Sequence, residues 1–203
     1  MEVVRSMGGY LNPGSDLFEM ALRSQIFVDK SGLIEKTNHC VRTLQRYICV
    51  SRPRRFGKSM GVDMLAAYYD RSVDTKELFQ ELKISSTKEY EKHLNQYDVL
   101  KINIQEFLSA TENIDQMLRM LNDYLLFDLK EQYGQVRFRD EKNLVQVMKD
   151  VYSYTKHPFV ILIDEWDCLF REYQQDQEAQ KKYLDFLRFW LKDKEYVALA
   201  YMT

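Results

Sequence analysis

An α/β sandwich on a mostly parallel sheet is the fold class that this 203-residue sequence predicts, and three observations predict it. Short apolar runs alternate with amphipathic stretches along the chain. One run, Phe159 to Ile163 (FVILI), is continuously apolar, as a strand covered on both faces must be. Another, Tyr47 to Val50 (YICV), stops at a loop holding proline and glycine, with a helical pattern beyond, which is the first half of a strand–helix unit. The length suits one domain with a sizeable core, and residues 1–203 read as that domain, without repeat, linker or low-complexity segment.

Each element has a local cause. Asn12-Pro13-Gly14 predicts a turn, and Asp16 with Glu19 predicts a short helix through Leu22. Phe27 to Thr37 (FVDKSGLIEKT) reads as a brief extended piece and then a helix from about Ser31. After the Tyr47 to Val50 strand, a helix from Gly57 to Tyr69 presents Met60, Met64, Leu65 and Tyr68 on one face. Asp74 and Glu77 predict a helix over Glu77 to Leu82, and Val99 to Ile104 a second strand. Ile114, Met117, Leu118, Leu121, Leu125 and Leu129 share one face of a long helix that Gly134 can end. Leu144, Val147, Met148 and Val151 mark another helix, which Pro158 stops. Tyr183, Phe186, Leu187, Trp190 and Leu191 mark one more, and Tyr196 to Tyr201 is a last strand before Thr203.

Composition excludes several functions. The formal net charge of -2 leaves no whole-chain electrostatic footprint for nucleic acid or an anionic membrane. No apolar run is long enough to span a bilayer, and the first residues show no signal peptide, so a soluble, cytoplasmic protein is expected. Cys40, Cys49 and Cys168 lack metal-ligand spacing and suit a reducing compartment. His39 beside Cys40 does not make a metal pair, because sequence neighbours seldom point at one ion, and His93 and His157 have no evident partner.

Two motifs sit where parallel sheets bind ligands, at the carboxyl ends of strands. The first is RPRRFGKS, Arg52 to Ser59, whose last three residues match the end of the phosphate loop GxxxxGK[ST]. Pro53, Arg54, Arg55, Phe56, Gly57, Lys58, Ser59 and Met60 are the candidate nucleotide-binding residues. Gly57 lets backbone N–H groups approach phosphate oxygens, and the helix beyond adds partial positive charge. Lys58 suits the β- and γ-phosphates, and the Ser59 hydroxyl suits Mg²⁺. Arg52 replaces the usual first glycine, so the entry turn must differ from the common one. Arg54 and Arg55 either add charge near the phosphates or grip neighbouring acids.

The second motif is FVILIDEWD, Phe159 to Asp167, an apolar strand ending in carboxylates: the Walker B pattern. Asp164 is the candidate Mg²⁺ residue beside Ser59, and Glu165 the candidate general base that orients water. Asp167 is a candidate for a partner contact. Either motif alone recurs by chance; both together, at strand ends and in this order, point to a nucleotide.

FVDKSGLIEKT, YICVSRPRRFGKSM (Tyr47 to Met60) and VILIDEWD (Val160 to Asp167), with YLNPG near the start and LAYMT at the end, resemble the bacterial AAA-ATPase-like proteins, which often carry a PD-(D/E)xK nuclease-like domain at the C-terminus. The resemblance spans essentially the whole chain. It implies an ASCE-type, AAA-like P-loop NTPase fold in three layers, with ATP and Mg²⁺ as cofactors. Lys58, Ser59, Asp164 and Glu165 match the motif positions, with Lys58 and Glu165 in the catalytic roles. Thr203 then stands where a polar sensor residue would touch the γ-phosphate. The resemblance also implies a C-terminally incomplete domain, with the next strand, a helical lid, a sensor arginine and the nuclease-like domain all absent, and an open sheet edge where that strand would pair. By analogy Phe27 and Val28 would lie near adenine, although core packing is the favoured reading of both. The expected function is Mg²⁺-dependent ATP hydrolysis by the complete protein. The alternative is a nucleotide-dependent switch or interaction module that does not hydrolyse, and a small-molecule kinase fits less well. ATP is the expected partner; a second copy or another protein is left open, and neither membrane nor nucleic acid is indicated.

Overall fold

The computed structural model describes residues 9–50 and 57–203. Its elements are α1 (Asp16–Leu22), α2 (Gly32–Cys40), β1 (Tyr47–Cys49), α3 (Lys58–Tyr69), α4 (Lys76–Phe79), α5 (Tyr90–His93), β2 (Asp98–Asn103), α6 (Ile104–Ser109), α7 (Ile114–Gln132), α8 (Leu144–Thr155), β3 (Phe159–Asp164), α9 (Cys168–Glu172), α10 (Gln177–Leu191) and β4 (Val197–Met202). The four strands form one sheet in the order β1-β4-β3-β2, every neighbouring pair parallel. The expected α/β sandwich with a P-loop NTPase-like layering is what the chain forms, and β4 separates the two strands that carry the motifs.

Strand period decides the layers. Leu100, Ile102, Phe159, Ile161 and Ile163 enter a core with α6, α7, α8 and α10. Their strand neighbours Val99, Val160 and Leu162 enter a second core with α1, α2 and α3. Alternate residues of one strand serve opposite faces, so Phe159 to Ile163 must all be apolar, and all six residues of β3 are buried, the terminal Asp164 included. The side chains of Asn113, Asn143 and Asp176 accept from backbone N–H groups in the first turns of α7, α8 and α10, satisfying donors the helices leave open.

The outer edge of β2 is covered. Asn12 N–H donates to the Val99 carbonyl at 2.7 Å, Lys101 N–H donates to the Tyr10 carbonyl at 2.9 Å, and Asp128 takes the Tyr10 and Leu11 amides. The outer edge of β1 meets no described strand, and Tyr47 and Cys49 are exposed there.

Several boundaries differ from expectation, each for a local reason. Ser15, not Asp16, precedes the first helix, and its hydroxyl donates to Glu19. The helix expected over Glu77 to Leu82 is the single turn α4 with a 3-10 turn at Lys83–Ser86, because Asp74 accepts from Lys76 N–H and sets the start one residue early. The second strand stops at Asn103, whose side chain accepts from Gln105 N–H and turns the chain into α6, a helix the apolar run concealed. Tyr133, not Gly134, follows the last residue of α7. The single turns α5 and α9 were too short to leave a periodic signal. No described helix is long and apolar enough to cross a membrane.

His93 supplies a pH prediction. It is buried, its Nδ1 lies 2.7 Å from the Tyr97 hydroxyl, and its Nε2 has no partner among the described residues. Burial, then the neighbouring Lys92 charge, lowers its pKa, with Glu89 opposing. The unfolded chain therefore takes up a proton near pH 6.5 that the fold resists, so this group removes stability as pH falls below that value. Thermal melts between pH 7.5 and 5 should show the loss, and His93→Gln should flatten it; parallel profiles for the two proteins would refute the assignment.

Candidate functional site

The four strands end together. Cys49 is level with Met202, which is level with Ile163, and Asn103 is level with Asp164. Val50 N–H donates to the Met202 carbonyl at 2.8 Å, and Thr203 N–H donates to the Ile163 carbonyl at 2.9 Å. Val50, Thr203, Asp164 and Asn103 thus cap neighbouring strands, in steps of roughly 5 Å. Alternation from Val160 and Leu162 puts the Asp164 side chain on the α3 face of the sheet, and alternation from Leu199 and Tyr201 does the same for Thr203.

Helix α3 runs antiparallel to the strands on that face. Its C-terminal neighbour Asp70 bridges to Tyr97, just before β2, and Asp63 pairs with Lys101 midway along β2. Lys58 stands five residues before Asp63, about 7–8 Å at helical rise, and Asn103 stands two beyond Lys101, about 6–7 Å at strand rise. The start of α3 and the Asp164 level therefore coincide at one rim. The backbones of Lys58 and Asp164, from motifs far apart in sequence, thus end at the same rim.

The local detail is chemical. Gly57 has φ 72° and ψ 36°, the left-handed conformation that glycine adopts without a Cβ penalty. Its carbonyl accepts from Gly61 N–H at 3.1 Å, closing the first turn of α3. Ser59 is exposed, and Met60 is half-buried against the α3-side core. Pro53, Arg54, Arg55 and Phe56 lie outside the described residues. Asp164 is buried, and its Oδ1 accepts from Glu165 N–H at 3.0 Å. The Thr203 hydroxyl is buried and has no partner among the described residues, an uncommon state for such a group.

Glu165 has φ 50°, also left-handed, and turns the chain sharply off β3. Arg171 on α9 forks across two carboxylates, one guanidinium nitrogen on Glu165 Oε2 and the other on Asp167 Oδ1. Asp167 reaches toward β1: burial first, then its charge, pushes the Cys49 thiol pKa up.

The segment Phe27 to Ser31 borders the rim. Asp29 accepts from Ser31 N–H at 2.8 Å and from Lys83 N–H at 2.9 Å. Burial opposes ionisation of this carboxyl, but those donors outweigh it and hold its pKa below the usual value. The adjacent Lys30 ammonium lies against Gly57, where any Cβ would collide with it. Phe27 packs beside Phe18 in the core as expected, with ring centroids 6.2 Å apart. Val28 does not: it is 60% exposed, because the extended segment turns alternate residues outward. Lys30 and Arg171 are the residues the motifs did not single out. The only sequence signal for Arg171 was its place four residues after Asp167, one helical turn on.

A family model described as Predicted AAA-ATPase matches residues 15–200. The chain belongs to the AAA-ATPase-like family. No curated protein and no solved structure matches it. Membership of the AAA-ATPase-like family supports nucleotide binding in general, and the match spans both motifs, β1 to β3 and the first four residues of β4. The rim of this AAA-ATPase-like sheet combines features a nucleotide would use: a glycine in the left-handed region, a helix N-terminus with its lysine, a buried carboxylate and a buried hydroxyl without a partner among the described residues.

Proposed function

We propose that this chain binds ATP at the carboxyl rim of its sheet and takes part in its Mg²⁺-dependent hydrolysis. The observation that carries the reading is the level at which α3 begins. With α3 starting at that level, Lys58 would share one rim with the buried Asp164 carboxylate and the Thr203 hydroxyl, which has no partner among the described residues.

The roles follow from residue chemistry. Amides at the start of α3, with the positive pole of the helix, receive phosphate oxygens. Lys58 adds a full charge where charge accumulates in transfer. Ser59 and Asp164 offer hard oxygen donors of the kind Mg²⁺ selects, and the ion when bound would neutralise β- and γ-phosphate charge. The Thr203 hydroxyl offers a donor to a phosphate oxygen or to the attacking water. Glu165, one residue past the strand, would orient and polarise that water. The direct test is calorimetric titration of ATP with phosphate-release kinetics on the full chain. ATP binding with turnover supports the reading, and no heat of ATP binding refutes it.

One contact favours a second reading, a nucleotide-dependent switch that does not hydrolyse: Arg171 holds the Glu165 carboxylate. If that fork restrains a working base, Arg171→Met should raise turnover about two- to five-fold, the scale of a partly exposed ion pair. ATP binding with no turnover in either protein would support the switch.

A further inference from the structure

We infer that the Asp63–Lys101 ion pair is a positioning device, which holds the first half of α3, and Lys58 with it, at one height and tilt against the sheet. The inference rests on the ATP-site reading above, because the placing of Lys58 matters to function when a nucleotide binds at the rim.

Lys101 stands where packing would favour an apolar residue. It lies midway along β2, level with the buried Leu162 of β3, and alternation puts it on the α3 face with Val99 and Val160. Its side chain is 22% exposed, and that of its partner Asp63 is 18% exposed. Two charges so placed lose much of their hydration, and an apolar pair of similar volume would hold the same layers at least as firmly. What the ion pair adds is direction. Apolar burial is non-directional and tolerates sliding and tilting, whereas an ammonium in contact with a carboxylate specifies one relative position.

Helix α3 has use for a second fixture. Its C-terminal end is fastened by backbone bonds: Arg71 N–H donates to the Tyr97 carbonyl, and Tyr97 N–H donates to the Tyr69 carbonyl, both at 2.9 Å. Every residue from Met64 to Tyr69 is buried there. The first turn is thinly packed by comparison, with Ser59 exposed and Lys58 and Met60 half-buried. A helix held firmly at one end pivots about that end. Lys58 precedes Asp70 by twelve residues, about 18 Å at helical rise, so a tilt of about 5° displaces it by about 1.5 Å. A displacement of that size takes an ammonium out of hydrogen-bond range of a phosphate oxygen. Asp63 lies between the fastened end and Lys58, and its bond to Lys101 opposes the pivot. Asp63 and Lys101 are positioning residues in this scheme, acting through Lys58.

The test uses the full chain as wild type, as the apolar pair Asp63→Leu with Lys101→Met, and as the reversed pair Asp63→Lys with Lys101→Asp. Changing both partners leaves no unpaired charge, so the apolar pair should melt at or above the wild-type temperature. Its affinity for Mg·ATP, read by calorimetry, should nonetheless fall about tenfold, the scale of one weakened bond to a charged group, and the reversed pair should recover most of that loss. Amide hydrogen exchange gives a readout that needs no nucleotide. The Gly61 amide, which donates to the Gly57 carbonyl in the first turn, should exchange about tenfold faster in the apolar pair, and the Asp70 amide at the fastened end should not change. Wild-type affinity in the apolar pair overturns the inference and leaves the ATP site standing, as does a loss of affinity without faster Gly61 exchange. A melting temperature that drops with affinity, and no recovery in the reversed pair, overturns it too, because the pair is then merely structural. Absence of ATP binding by the wild type ends the ATP-site reading, and Gly61 exchange by itself then decides whether the pair fixes the start of α3.

Discussion

Lys58→Ala should reduce ATP affinity and turnover by about 10²- to 10³-fold, while Glu165→Gln should cut turnover on that scale and leave ATP binding nearly intact. The two variants separate two physical tasks. Lys58 opens α3 at the rim, where a cation next to the helix pole binds polyphosphate in ground and transition states alike. Glu165 lies just beyond β3, on the far side of Asp164 from the core, and its carboxylate matters only once water must be oriented. Glutamine keeps its shape and removes its basicity. Equilibrium titration with phosphate-release kinetics reads both tasks. Turnover unchanged in both variants would end the hydrolase assignment. Affinity falling as far in Glu165→Gln as in Lys58→Ala would end the division of roles.

Leu162→Ala should destabilise the fold by about 3 kcal/mol, lowering the melting temperature by roughly 6–12 °C for a chain of this size. Leu162 is wholly buried in the middle of β3, which β2 and β4 flank, and it faces the core under α3. Truncation removes its burial and leaves a cavity that two sheet neighbours and a helix cannot collapse to fill. Asp164 lies two residues on along the same face, so ATP binding at a temperature where the variant is folded should weaken as well. Urea unfolding of Leu162→Ala beside Leu184→Ala, on the half-exposed face of α10, checks the burial argument. Equal losses in the two variants would refute it.

Legibility in the sequence followed burial and regularity. The apolar run of β3, Phe159 to Ile163, announced itself, since a strand packed on both faces admits no polar residue until its end. Helices α7, α8 and α10 were readable because one apolar stripe repeats over three turns or more. Helix α6 was not, because one bond from Gln105 N–H to Asn103 converts an apolar run from strand to helix. The motif residues were legible because Gly57, Lys58, Ser59, Asp164 and Glu165 are chemically distinctive types at strand ends. Lys30 and Arg171 were not, because lysine and arginine on a surface are ordinary until something brings them to a site.

The amino-acid order by itself determined the alternation of strands and helices, the two motifs and their place at strand ends, because periodicity and residue chemistry are local. Only the tertiary structure decided that β4 separates β1 from β3 and that Asp164 and Thr203 face α3. It also decided that α3 starts level with them and that Lys30 and Arg171 reach the same rim. Those relations depend on strand register, on which face a two-residue period selects, and on the helix and strand rises between two fixed contacts.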